Sequence, residues 1–177
     1  MNEVNLQFYP TPACVVECIR FRADLKPFQR VLEPSAGTGR LVNMAVAAGC
    51  KVTAIELDWN RAIRLRWRTW RAVEVWRADF LDVHFPPEKR FERVLMNPPF
   101  NPNLDVCHVL HAWDSALAGG GLLLAVVTPR YQRRKDGQSA RLRHIIERHG
   151  EVHPLPDNRQ HGATRRTVLL KLQAPTY

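Results

Sequence analysis

The chain has 177 residues, 45% hydrophobic and 24% charged, the make-up of a soluble globular protein long enough to bury a core. No apolar run approaches the ~20 residues needed to cross a bilayer. The start, MNEVNLQFYP, lacks the basic and apolar stretches of a signal peptide, so a cytoplasmic protein with no membrane association is expected. The net charge of +9 favours acidic partners such as nucleic acid, and it is unevenly spread. Residues 128–166 carry ten Lys/Arg against four Asp/Glu, and residues 59–77 carry six against one.

Short apolar runs alternate with amphipathic stretches, which predicts an α/β domain with a mainly parallel sheet. A helix is expected from Pro10-Thr11-Pro12 to about Arg22. A strand at 30–33 follows, broken by Pro34-Ser35-Ala36-Gly37-Thr38-Gly39, and then a helix at 40–48. The second strand is read at 51–56 and the next helix at 59–72. In that helix Trp59, Ile63, Trp67 and Trp70 share one face, while Arg61, Arg64, Arg68 and Arg71 line another. The tryptophan stripe reads as core, and the arginines as solvated surface unless a phosphate backbone lies against them.

Strands follow at 74–77 and 91–96, then a helix at 104–118. Gly119-Gly120-Gly121 reads as a turn into an apolar central strand at 122–127. A helix at 139–149 and strands at 152–155 and 167–172 close the pattern. Cys14, Cys18, Cys50 and Cys107 make no disulfide framework; buried cysteines and solvated histidines at 108 and 111 are expected, with no metal site.

In such a sheet, ligands bind at the carboxyl ends of the strands. After the first strand, Gly37 and Gly39 let backbone approach a ligand at a helix start. Glu56, some twenty residues on, can accept from ribose hydroxyls, and Asp58 reads as a helix cap. Asp79 can accept from an adenine amino group, with Phe80 flanking the ring. The fourth end, Asn97-Pro98-Pro99-Phe100, is the most informative. Proline lacks an N–H, so its carbonyl stays free as an acceptor. Asn97 Oδ1 and the Pro98 carbonyl can each take one hydrogen of a planar amine, with Phe100 stacked on the base. Holding both hydrogens draws the nitrogen lone pair out of conjugation, so positioning supplies most of the catalysis.

The series Phe8-Tyr9-Pro10-Thr11-Pro12, 33–39, Ile55-Glu56-Leu57-Asp58, Ala78-Asp79-Phe80 and Asn97-Pro98-Pro99-Phe100 resembles the class I S-adenosylmethionine-dependent methyltransferases. More narrowly, it resembles the N6-adenine DNA methyltransferases with an N-P-P-F motif. Leu155-Pro156 and Gly162-Ala163-Thr164 resemble the final hairpin of that group. The resemblance implies a Rossmann-like, mainly parallel seven-stranded sheet with an antiparallel final strand and helices on both faces. It implies S-adenosyl-L-methionine contacts at Tyr9, Thr11, Pro12, Glu33, Pro34, Ser35, Gly37, Gly39, Glu56, Asp79 and Phe80. It implies catalysis at Asn97, Pro98, Pro99 and Phe100.

The expected reaction is methyl transfer to adenine N6, in DNA ahead of RNA. Protein glutamine N-methylation and a catalytically silent nucleic-acid-binding subunit are the alternatives. Residues 1–177 read as a single methyltransferase domain without a separate target-recognition domain. Target choice then falls to loops, a partner subunit or a homodimer. Candidate loops are 85–90, 129–135 and 157–166. In the last two, Arg130, Tyr131, Arg133, Arg134, Lys135, Arg165 and Arg166 are the expected nucleic-acid contacts, suited to phosphates more than to base edges.

Overall fold

The computed structural model describes residues 9–101, 103–156 and 166–176. Its elements in chain order are α1 (Ala13–Ala23), β1 (Arg30–Glu33), α2 (Arg40–Ala47), β2 (Lys51–Glu56), α3 (Trp59–Thr69), β3 (Val73–Arg77) and β4 (Phe91–Met96). They continue with α4 (Leu104–His111), β5 (Leu117–Val127), α5 (Gly137–His149), β6 (Gly150–Pro154) and β7 (Val168–Gln173). The strands form one seven-stranded sheet in the order β3-β2-β1-β4-β5-β7-β6. Pairs from β3 through β5 are parallel, and β7 runs antiparallel to both of its neighbours.

Side chains on a strand alternate between faces, and two cores result. Leu95, Leu122, Leu124, Val126 and Leu169 pack with Ile19 of α1, Leu41 of α2 and Leu65 of α3. Val94, Met96, Leu123, Ala125 and Leu170 pack on the other side with Val106 and Val109 of α4 and Leu142 of α5. Both faces of β5 are therefore covered, which accounts for its unbroken apolar run.

Three expectations are corrected. The tryptophan stripe of α3 is not core: Trp59, Trp67 and Trp70 are exposed. The helix instead turns a narrow row, Ala62 and Leu65, to the sheet. The space there is tight, since a Cβ on Gly39 would come 2.5 Å from Leu65 Cδ1. Gly119-Gly120-Gly121 is not a turn before the strand but part of β5. There the pairing jumps from Phe91↔Leu117 to Arg93↔Leu122, a bulge that Gly120 accommodates at φ +67°. Finally, α4 stops at His111 and a π-helical turn, Ala112–Ala116, completes the segment.

The cysteines are free; Cys50 is buried, Cys14 is exposed, and Cys18 and Cys107 are half-buried. Neither histidine of α4 is solvated: His108 is buried, and Nε2 of half-buried His111 lies 2.7 Å from the Val83 carbonyl. Among the described residues, no helix is long and apolar enough to span a membrane, and no cluster of side chains could hold a metal ion.

A buried carboxylate joins α4 to the end of β5. Asp105 Oδ2 accepts from the Thr128 backbone N–H at 2.9 Å and from its hydroxyl at 2.8 Å, while Oδ1 accepts from the Val106 N–H at 3.0 Å. Asp105→Ala strands the two Thr128 donors in a buried position, a loss of about 2–4 kcal/mol. Urea denaturation should show a lower midpoint with an unchanged slope, whereas Thr128→Val, which removes one bond with its donor, should cost less.

Candidate active site

The chain leaves β1 toward β2 on one side and returns through β4 on the other, so the carboxyl ends of these strands flank a crevice. A cavity of about 250 Å³ lies there. Tyr9, Thr11, Pro34, Ser35, Gly37, Glu56, Asp79, Phe80 and Asn97-Pro98-Pro99-Phe100 all line it. Pro12, which begins α1, and the buried Glu33 and Gly39 are not on its surface.

Glu56 is held in place before any ligand arrives. Its Oε2 accepts from the Gly37 N–H at 2.7 Å, and its Oε1 accepts from the Asp58 N–H at 2.8 Å and from Arg61 Nε at 3.1 Å. Arg61 Nη2 also lies 3.0 Å from Oε1, so the Oε1 side is crowded with donors, while Oε2 takes the Gly37 N–H and has a second lone pair for a hydroxyl. Asp79 Oδ1 is spent on the Leu81 N–H at 3.0 Å. Phe80 is buried in the wall, its ring 5.6 Å from that of His108 and 4.7 Å from that of His111.

The buried surroundings hold two titratable groups in uncharged form. Burial pushes the Glu33 carboxyl up to about 8, against the pull of the Ser35 N–H hydrogen bond. Burial also pushes His108 down to about 4, against the attraction of Asp79. His108 lines the cavity with its Nδ1 3.4 Å from Ser35 Oγ, and sequence reasoning missed it. A single histidine on a helix carries no spacing signal; only its proximity to Ser35 and Phe80 marks it.

Asn97 is oriented from behind. Its Nδ2 lies 3.1 Å from Thr11 Oγ1 and 3.5 Å from the Tyr9 carbonyl, which can only accept. Its Oδ1 is sealed from water and has no hydrogen-bond partner among the described residues. Pro98 and Pro99 offer no N–H to satisfy it. The Phe100 ring is buried at the cavity wall, 6.2 Å from the Tyr9 ring and tilted by 41°.

Beyond Phe100 a small cleft is lined by Arg130, Tyr131 and Arg134. Arg130, Arg133, Arg134, Lys135 and Arg166 are exposed, as a phosphate contact requires. Tyr131 is the exception and a correction: it is buried in the core, and burial pushes its phenol up. Arg134 is partly engaged by Asp136 at 2.7 Å. Arg165, Phe8 and 162–164 lie outside the described residues.

No family model matches the chain. Over 93 residues it is 34% identical to ribosomal RNA small subunit methyltransferase A of Synechococcus sp. (strain JA-3-3Ab), a match covering 49% of this chain. That match spans 33% of the relative's length. Among solved structures, the fold superposes on the 23S rRNA methyltransferase ErmE with a TM-score of 0.73 and 21% identity, covering 96% of this chain and 72% of that one. A dimethyladenosine transferase from Plasmodium falciparum gives 0.73 and 19%, covering 94% and 63%. A modification subunit assigned to a type I restriction enzyme from Vibrio vulnificus YJ016 gives 0.78 and 17%, covering 98% and 46%. The architecture is the Rossmann-like fold of the class I methyltransferases.

His108 gives this site a pH signature. Its native value, about 4, lies below the ordinary value near 6.5, so the unfolded chain takes up the proton first as pH falls. Stability from this group is full above about pH 6.5 and is lost on the way down to about pH 4, by ~3 kcal/mol. The stability difference between wild type and His108→Gln, followed by denaturant melts from pH 7 to 4, should shrink or reverse over that window.

Proposed function

We propose that the chain is an S-adenosyl-L-methionine-dependent methyltransferase that methylates the exocyclic N6 amine of adenine in RNA. The observation that carries the chemistry is Asn97, with its amide nitrogen tethered and its buried oxygen left without a donor. A buried acceptor without a partner costs about 1–3 kcal/mol. A planar amine entering beside Pro98 and Phe100 relieves that cost by donating to Oδ1. Withdrawing its hydrogens from the plane makes the nitrogen a better nucleophile; methyl transfer would exchange the S–C bond of the sulfonium donor for the new N–C bond, leaving a thioether, and the amine proton passes to water.

The cavity fits the cofactor by its donor set. Glu56 suits a ribose hydroxyl and Asp79 an adenine amine, with Gly37 and Ser35 lining the wall between. When bound, the cofactor supplies an electrophilic methyl group on a sulfonium. The choice of RNA departs from the DNA target expected of the sequence. It rests on the curated relative and ErmE, whose names specify ribosomal RNA, and adenine is supported by the dimethyladenosine transferase. The likeness to a restriction modification subunit keeps DNA as the second reading. The exposed Arg130, Arg133 and Lys135, beside the cleft at Phe100, suit the backbone of either.

Incubation with labelled cofactor and ribosomal RNA, duplex DNA or single-stranded DNA, followed by nucleoside mass spectrometry, should give N6-methylated adenosine from RNA. Product from DNA alone overturns the substrate but keeps the site. Asn97→Ala should lower turnover at least 100-fold with cofactor affinity within about twofold; comparable activity in the variant removes the mechanism. Replacing Arg130, Arg133 and Lys135 together by serine should weaken RNA binding and flatten its salt dependence by about two. An unchanged slope reassigns the loop to solvated surface.

A further inference from the structure

The exposed face of α3 has no part in the cavity, yet its composition is unusual for solvated surface. Trp59 and Trp67 on this face are 58% and 71% exposed, and Trp70, in the turn just past the helix end where the backbone takes φ +48°, is 68% exposed. Large aromatic rings cost free energy in water, and tryptophan is ordinarily well buried. Their exposure is not forced by amphipathicity, because the helix is anchored by Ala62 and Leu65 alone on its inner row.

The adjoining helix face is cationic. Arg64 and Arg68, and Arg71 in the turn beyond the helix, are exposed, and none pairs with a carboxylate among the described residues; Arg68 Nη1 donates to the Thr38 carbonyl at 3.0 Å, and the ion pair on this helix joins Arg61 to Glu56. Arg77 from the neighbouring edge strand places its guanidinium 5.4 Å from the Trp59 ring centroid. An aromatic stripe and a cationic stripe therefore lie side by side, with no acidic residue within α3 to oppose a polyanion.

This surface is continuous with the site. The helix starts three residues beyond Glu56, at Trp59, and Leu57 and Arg61 line the cavity. From Trp59 to Trp67 the axis advances about 12 Å at ~1.5 Å per residue. That is the span of three to four bases stacked at ~3.4 Å.

We propose that the outer face of α3 and the turn that follows it form a second nucleic-acid-binding surface, on which unpaired bases of an RNA strand flanking the target stack on Trp59, Trp67 and Trp70 while Arg64, Arg68 and Arg71 neutralise its phosphates. This inference rests on the proposed RNA substrate. The tryptophans accept any base, because each base has a π-face, so the surface contributes affinity and strand tracking rather than sequence choice. Together with the loop after β5, it gives the cavity basic arms from two sides of the crevice.

The test measures equilibrium binding of a fluorescein-labelled, mixed-sequence single-stranded RNA 15-mer to the full chain, with cofactor binding as a check on folding. Trp59→Ala/Trp67→Ala/Trp70→Ala should weaken RNA binding about tenfold or more and leave its salt slope unchanged. Trp59→Phe/Trp67→Phe/Trp70→Phe should restore most of the affinity. Arg64→Ser/Arg68→Ser/Arg71→Ser should weaken binding and flatten the slope by about two. Cofactor affinity should be unaltered in all three.

Equal RNA affinity in wild type and the alanine variant overturns the proposal. So does an alanine variant whose only change is a lost dimer, by light scattering, or lost binding to anionic phosphatidylserine vesicles. The function and the surface fail separately. Methylation of RNA with no tryptophan dependence of binding removes the surface alone. Tryptophan-dependent RNA binding without methyl transfer removes the RNA methyltransferase reading alone.

Discussion

The amide of Asn97 is fixed at one end and unsatisfied at the other, and much of the crevice serves that asymmetry. Its nitrogen is tethered by Thr11 and the Tyr9 backbone, from the segment leading into α1, while its backbone belongs to the end of β4. Two prolines follow, so the loop cannot turn an N–H back onto the oxygen. The Asp105–Thr128 hydrogen bonds then tie α4, which the loop feeds, to the end of β5. Among the described residues the Asn97 oxygen is left without a donor, the condition that preorganisation for a hydrogen-bonding ligand requires.

Electrostatics around the crevice follows a related logic. Glu33 and His108 are both in their neutral forms near pH 7, one holding its proton and the other having lost it. The opposite linkage signs matter for the whole molecule. Rising pH between 4.5 and about 8 works against the native state through Glu33, while falling pH below about 6.5 does so through His108. Glu56, also buried, accepts from the Gly37 and Asp58 N–H groups and from Arg61.

Much of this was legible in the sequence because sheet physics leaves clear traces. β1, β2 and β4 have the bounds read from their apolar runs, and the four strand ends do meet at one cavity. What failed did so for identifiable reasons. A stripe of three tryptophans and an isoleucine is indistinguishable from a core face by periodicity, yet the helix buries Ala62 and Leu65, with Leu65 packed closely against Gly39. Three glycines signal a break, but neighbouring β4 carried the chain through as a bulge. Tyr131 sits among arginines in sequence and in the core in space. His108 was overlooked because its significance comes from residues more than twenty positions away, Phe80 and Ser35. The likeness of the strand-end motifs indicated the fold correctly and, by way of N-P-P-F, pointed to DNA, whereas the proteins this chain is similar to include two named for ribosomal RNA.

The order of strands has a consequence for how the molecule is made. β7 follows β6 in the chain but lies between β5 and β6, with Leu169, Leu170 and Leu172 fully buried. During synthesis the edge of β5 stays open until β7 emerges, and β6 has no partner to pair with before then. Both cores receive side chains from β7, so neither is complete in its absence. The nascent chain must therefore keep a hydrophobic edge from meeting other edges while it waits for a late segment.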